Sequence, residues 1–180
     1  MSKFRSMIGA AIGVLVFATA AAAQSPSTSQ SGNPASPPLP EQMPFDIPYG
    51  APIGLEQAKL AVAAAEAEAK RHNWKMVIAL VDPSGELVYF EKMDGAQNGS
   101  VTVAQRKART AALYRRASSV FAGAVDSGRL GVISLDPAIV ASAGGLPLLQ
   151  GGKIVGGIGC SSGTGEQDTA VCKAGADMVK

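Results

Sequence analysis

The basic side chains of this chain are concentrated in residues 102–116, a stretch that is predicted to be a helix. Arg106 and Arg109 are three positions apart, so both guanidinium groups leave the same face of that helix. Together with Lys107, they can hold a carboxylate through charge-assisted hydrogen bonds. The pattern therefore indicates a site for an anionic ligand. The competing interpretation is a solvated helix face whose cations pair with carboxylates of this or another subunit.

His72 is the only histidine of the chain. Any catalytic arrangement of the Ser-His-Asp type would have to use it, and a metal site built on two or more histidines is excluded by count. The residue lies in the polar segment 70–73, where a surface histidine near the last carbonyls of a helix is the plain expectation. Catalysis or metal ligation by His72 is therefore the less favoured interpretation.

The two cysteines, Cys160 and Cys172, form neither a CxxC redox motif nor part of a metal-ligand cluster. Cys160 falls at the end of a predicted strand, and Cys172 about two turns into the predicted last helix. A helix that folds back on its strand would bring the two sulfur atoms together. A disulfide and a pair of small buried thiols both remain open.

A glycine-rich stretch, residues 144–165, contains the clearest local signal. Two apolar runs flank Gly151-Gly152, a two-residue link that suits the positive φ angles of a tight hairpin turn. Gly157 and Gly159 leave the second run without side chains at alternate positions, so a packed helix or a ligand must approach its backbone closely. Packing by the last helix, predicted over about 165–179 and capped by Thr164, is the favoured explanation.

The remaining periodicities predict elements around this hairpin. A helix is expected from residue 55 to about 72, a second hairpin over 76–90, and a basic helix from residue 100 or 102 to about 116. A short strand is expected at 130–134. Helices alternating with hairpins predict an α+β domain, with an antiparallel sheet covered by helices.

The N-terminal residues have the organisation of a secretory signal peptide over residues 1–23. Lys3 and Arg5 precede an apolar run at 7–17, and small residues at 21–23 provide a cleavage site. The apolar run is too short for the alternative, an uncleaved membrane anchor, and no stable membrane span is expected after cleavage. The mature chain is therefore expected to be exported to the periplasm or secreted.

Residues 24–52 contain eight of the eleven prolines and many polar residues, a composition typical of a disordered linker. The apolar residues near its end, such as Phe45 and Tyr49, are expected to lie along the domain or a neighbouring subunit. The folded domain is expected over 53–180. Without the signal peptide's two cations, the chain has as many basic as acidic residues, which argues against nucleic-acid binding.

Five segments, in this order, resemble the GlcG/HbpS family of small haem-binding proteins, which is also similar to the C-terminal part of PduO-type proteins. The resemblance spans nearly all of residues 55–180. The segments are residues 73–85, RKARTA at 106–111, GGLP at 144–147, GGKIVGGIG at 151–159, and GEQD at 165–168.

The resemblance implies an antiparallel sheet of about five strands flanked by helices, assembled as a homo-oligomer, often an octamer. It also implies haem as the cofactor, with haem sensing, storage or degradation as the function. Haem has two propionates and an apolar macrocycle, so the three cations suit the propionates, and a neighbouring apolar surface could supply a face or a weak axial contact. The predicted haem-binding residues are Arg106, Lys107, Arg109, Tyr114, Met93, Gly144 and Gly145.

The axial ligand of the iron stays open, because a disulfide would remove the thiolate that Cys160 could otherwise offer. Two other functions also stay open. One is an enzyme or accessory protein acting on a small carboxylate, since the basic helix suits that ligand equally well. The other is a purely structural homo-oligomer in which glycine and alanine serve only assembly.

Overall fold

A computed structural model describes residues 38–180 of the chain. The predicted signal peptide and the linker up to residue 37 lie outside the described residues. The elements within them alternate between helices and hairpins. In chain order they are α1 (Leu55–Arg71), β1 (Val77–Val81), β2 (Leu87–Lys92), α2 (Ser100–Leu113), α3 (Ser119–Asp126), a 3₁₀ helix (Leu130–Ser134), β3 (Gly145–Gln150), β4 (Lys153–Ser161) and α4 (Gly165–Ala176).

The four strands form one antiparallel sheet in the order β2-β1-β4-β3. Each hairpin contributes two neighbouring strands, and the β1–β4 pairing joins the hairpins. Gly151 and Gly152 have φ angles of 54° and 73°, as the tight turn of the second hairpin requires. The α+β prediction and both hairpins are confirmed.

The described residues contain four strands rather than five, and residues 130–134 form a 3₁₀ helix instead of the predicted strand. Gly128, with a φ of 82°, turns the chain directly after α3. The Val132 N–H then donates to the Arg129 carbonyl, and the Ser134 hydroxyl donates to the Gly131 carbonyl. The segment satisfies its hydrogen bonds locally and does not join the sheet.

Helices cover both faces of the sheet. Helix α2 packs on one face, and α1 and α4 pack together on the other. On the α2 face, a Cβ at Gly159 would lie 2.1 Å from the Ala104 carbonyl oxygen, and one at Gly157 would lie 2.4 Å from that of Ala108. The predicted close approach is therefore real, but α2 makes it and not the last helix. The small residues of both elements let their backbones meet.

Helix α4 begins at the capping box that the sequence predicts. The Thr164 hydroxyl accepts from the Gln167 backbone N–H, and the Gln167 side chain accepts from the Thr164 N–H. The helix ends at Ala176, three residues before the predicted end. The capping box fixes its first turn beside the end of β4.

The last part of the predicted linker lies along the domain. The Gly50 N–H donates to the Ile154 carbonyl at 2.7 Å, and the Ile154 N–H donates to the Pro48 carbonyl at 2.9 Å. The Tyr49 hydroxyl donates to the Leu113 carbonyl at the end of α2, also at 2.7 Å. The structured domain therefore begins before residue 53, and Tyr49 is fixed beside α2.

A pair of carboxyl groups between α1 and β2 predicts a pH-dependent stability. Burial raises the pKa of Glu91, and the neighbouring Glu66 carboxylate raises it further, whereas Lys70 lowers the pKa of Glu66. Because the folded state holds the Glu91 proton more tightly than the unfolded state does, this stabilisation is present at low pH and is lost as the pH rises through the folded pKa.

Glu91→Gln is therefore expected to raise the unfolding temperature at about pH 8 and to change it little at about pH 4. Thermal unfolding at both pH values checks this result. Glu56→Gln, which changes an exposed carboxylate on α1, is the control. A Glu91→Gln variant that is less stable than the parent protein at the higher pH would contradict the interpretation.

Candidate functional site

Helix α2 presents its cations in two different directions. Arg106 and Arg109 share the outer face of the helix with Leu113, because the three residues follow an i, i+3, i+7 spacing. The Arg109 Nη1 donates to the Gly85 carbonyl at 2.7 Å and lies 3.6 Å from the Glu86 carboxylate. Arg106 is exposed and has no hydrogen bond or ion pair with any described residue. The outer face therefore offers one fixed and one free guanidinium group.

Two clefts lie beside this helix, one at each of its ends, with volumes of about 360 and 490 Å³. The larger one, called the outer cleft here, has a volume of about 490 Å³, within the usual range for small-molecule sites. Gly85 connects Arg109 to this cleft. A Cβ at Gly85 would lie 3.4 Å from the Leu113 side chain, which lines the cleft, and 3.5 Å from the Arg109 side chain. The outer cleft is lined by Tyr49, Gly50, Pro52, Pro83, Ser84 and Leu113.

Lys107 points to the opposite end of the sheet, away from the two arginines. Its ammonium group lies 2.7 Å from Asp168 Oδ2 and 3.2 Å from the Cys160 carbonyl oxygen, and both charged side chains are only 3% exposed. The backbone N–H of Gly163 donates to the other oxygen of Asp168 at 3.0 Å. The structure does not bring Lys107 together with the two arginines, and its charge is already paired in the interior.

Gly144 and Gly145 surround this ion pair. A Cβ at Gly144, whose φ is 106°, would lie 2.5 Å from the Asp168 Cβ and 3.1 Å from the Lys107 ammonium nitrogen. A Cβ at Gly145 would lie 2.4 Å from the Lys107 carbonyl oxygen. The two glycines therefore give the ion pair room. Their surroundings are protein atoms, which leaves no space there for the macrocycle face that the sequence predicts.

Met93 and Tyr114 lie apart from the two arginines and from each other. Met93 packs against the core on the α1 side of the sheet, where its sulfur accepts from the Met76 N–H at 3.4 Å. Tyr114 caps the C-terminal end of α2 and packs edge-on against Phe121, with ring centroids 5.2 Å apart. The seven predicted haem-binding residues therefore do not form one site.

Burial raises the pKa of the Tyr114 phenol, and the Asp136 carboxylate 3.5 Å from its oxygen adds to the effect. Since a tyrosine that ligates iron does so as the phenolate, this environment disfavours Tyr114 as an axial ligand.

The cysteines and the histidine are occupied elsewhere. Cys160 and Cys172 form a disulfide with a Cα–Cα distance of 5.6 Å, so neither offers a thiolate. His72 stacks on Trp74 at 4.3 Å and contacts the Glu68 carboxylate at 3.1 Å, at the end of α1. Among residues 38–180, no group of three or more His, Cys, Asp or Glu side chains could hold a metal ion.

The second cleft, called the inner cleft here, has the Lys107–Asp168 pair in its wall and a volume of about 360 Å³. It opens where β4 ends and where α2 and α4 begin. The sequence does not predict this ion pair, because nothing in the spacing of residues 107 and 168 shows that they meet. The polar groups that line the inner cleft include Ser100, Lys107, Ser142, Ser161, Gly163 and Asp168, together with Gln97 and Ser162.

None of the helices in the described part of the chain has both the length and the apolar character needed to cross a bilayer.

Comparison with known proteins identifies relatives over the whole domain. The family model described as haem degrading protein HbpS-like matches residues 53–177. The protein GlcG of Escherichia coli K12 is 36% identical over 106 residues, which cover 59% of this chain and 78% of GlcG.

Two solved structures share the fold. A double mutant of Streptomyces reticuli HbpS superimposes with a TM-score of 0.68 at 28% identity, covering 82% of this chain and 99% of that one. A structure described as a PduOC:heme complex gives a TM-score of 0.68 at 26% identity, covering 72% of this chain and 96% of that one. The family description and the haem complex support haem binding by proteins of this fold.

Proposed function

Since the chain belongs to the HbpS-like family, we propose that it is a haem-binding protein whose haem lies on the outer face of α2. The observation that carries this placement is the pair of guanidinium groups on that face, Arg106 exposed and Arg109 fixed beside the outer cleft. The two arginines would hold the propionates. Bound haem would supply the iron chemistry.

The outer cleft fits the apolar part of the ligand. Leu113, Pro52, Pro83 and the Tyr49 ring give it apolar walls. Arg109 adjoins these walls, and Arg106 lies about one turn further along α2. The Tyr49 hydroxyl is held by the Leu113 carbonyl, and the Arg115 guanidinium lies 5.6 Å from the centroid of the Tyr49 ring. These two contacts hold the ring at the cleft. The combination of cations and apolar walls matches the two propionates and the macrocycle of haem.

The buried site at Lys107 does not fit haem. Its two charges neutralise each other, and apart from Val103 its neighbours are polar or glycine. The disulfide and the stacked His72 supply no ligand on the α2 face of the sheet. The outer face of α2 is therefore the surface to test.

Arg106→Ala combined with Arg109→Ala is expected to weaken hemin binding by about 10- to 100-fold, because two charge-assisted contacts are removed. Soret absorbance titrations of the parent protein and the variant measure this change. Lys59→Ala with Lys173→Ala is the matched control, since it removes two exposed cations from α1 and α4. Equal loss of affinity in both double variants, or no loss in the arginine variant, would contradict the assignment.

Export is part of the same proposal. The signal-peptide pattern over residues 1–23 supports it, and the Cys160–Cys172 disulfide is of the kind that persists in oxidising compartments. A haem-binding protein in the periplasm or outside the cell would bind haem before the haem enters the cytoplasm.

Self-association also belongs to the proposal, and the resemblance suggests an octamer. Four large apolar side chains are exposed on α3, on the 3₁₀ helix and directly after it, a surface of the kind found at protein–protein contacts. Contact with further copies of the chain would cover them. The four residues are Val120, Leu130, Ile133 and Leu135.

A further inference from the structure

We infer that the inner cleft is a second ligand site, separate from the haem surface, that binds a small monocarboxylate. Two serine hydroxyls carry the inference. Ser100 and Ser161 line the inner cleft and are only 5% and 6% exposed, yet neither hydroxyl has a hydrogen-bond partner among the described residues. Each hydroxyl is therefore a hydrogen-bond donor without a protein acceptor, and a ligand that brings acceptor oxygens into the cleft can supply one.

The packing of α2 on β4 shows that these hydroxyls are not needed for the fold. Along the two elements, Gly157 meets Ala108 and Ala112, and Gly159 meets Ala104. Ser161 and Ser100 are the next members of the two rows. At position 100, alanine would continue the packing that Ala104 and Ala108 make one and two turns later in α2.

Both hydroxyls keep contact with the inner cleft. Every fully covered side-chain nitrogen or oxygen atom among the described residues has a hydrogen-bond partner. Because the hydroxyls of Ser100 and Ser161 have none, their oxygen atoms must retain some accessible surface. Since the two residues line the inner cleft, that is where this surface lies.

Most of the hydrogen-bonding groups that remain available in the inner cleft are donors. Both carboxylate oxygens of Asp168 are already accepting, one from Lys107 and the other from the Gly163 N–H. The ammonium group of Lys107 has only two partners for its three N–H groups. Together with the two serine hydroxyls, it can donate to a ligand that brings acceptor oxygens, as a carboxylate does.

The charge balance favours an anion with one negative charge. Lys107 and Asp168 neutralise each other. The N-terminal ends of α2 and α4 both lie at the inner cleft and add partial positive charge. That remaining charge suits a monocarboxylate better than a multiply charged anion. With a volume of about 360 Å³, the cleft accepts a ligand of a few carbon atoms.

The test is calorimetric titration of the purified protein with lactate, and with lactamide as the uncharged control of the same shape. Saturable lactate binding, at least tenfold tighter than that of lactamide, is expected. Absence of saturable lactate binding, or equal binding of lactamide, would overturn the inference. Hemin titrations run in parallel report on haem binding, so failure of the lactate site is distinguishable from failure of the haem proposal.

A double variant locates the site. Ser100→Ala with Ser161→Ala is expected to weaken lactate binding at least tenfold, while the unfolding temperature and hemin binding stay unchanged. Ser119→Ala, at an exposed serine on α3, is the control and should leave lactate binding as it is. Unchanged lactate affinity in the double variant would place the ligand elsewhere and overturn the inference.

Discussion

Asp168→Ala is expected to lower the free energy of unfolding by about 3–5 kcal/mol, because it leaves the buried ammonium of Lys107 without its counter-charge. A loss of that size is a large part of the stability of an ordinary domain. The ammonium would keep only the Cys160 carbonyl as a partner. The Gly163 N–H would also lose its acceptor, which loosens the turn before α4.

Chemical denaturation measures this loss, with Asp177→Ala as the control. Asp177 pairs with Lys173 at 2.7 Å, but both groups are exposed, so its removal is expected to cost less than about 1 kcal/mol. The double variant Lys107→Met, Asp168→Leu is expected to recover much of the stability, because no unpaired charge remains. A loss at Asp168 no greater than that at Asp177 would contradict the buried pair.

Gly159→Ala is expected to destabilise the domain by about 3 kcal/mol or more, since overpacking here cannot be relieved by a flexible side chain. The new Cβ would lie 2.1 Å from the Ala104 carbonyl oxygen and 2.5 Å from the Ala108 nitrogen, both backbone atoms of α2. The helix would have to move away from the sheet.

Gly123→Ala is the matched control for this substitution. Gly123 lies within α3, and a Cβ there would meet no atom within 4 Å. Because alanine favours a helix more than glycine does, this variant is expected to be neutral or more stable by up to about 1 kcal/mol. Unfolding temperatures of both variants measure the difference. A Gly159→Ala variant as stable as the parent protein would show that α2 does not approach β4 this closely.

The structural elements that are determined by residues close together in the sequence could be predicted from it. The Gly151-Gly152 turn and the capping box of Thr164 and Gln167 depend on residues within a few positions of each other. The exception is 130–134, where an apolar run predicts a strand but no sheet edge receives it. Local hydrogen bonds make it a 3₁₀ helix instead.

The site was predictable only in part, because its partners are distant in sequence. Helical spacing correctly puts Arg106 and Arg109 on one face, and the same spacing turns Lys107 away from them. What it cannot show is that Asp168, 61 residues later, lies at the end of the sheet and pairs with Lys107. Tyr49 was missed as a site residue for the same reason, since only its contact with Leu113 places it at the outer cleft.

The most direct test of the proposed haem site is the anomalous iron signal in crystals of the protein grown with hemin. We expect a peak in the outer cleft, with the propionates at Arg106 and Arg109. An iron peak against Met93 or in the inner cleft would contradict the proposal, as would crystals of hemin-treated protein without any iron peak.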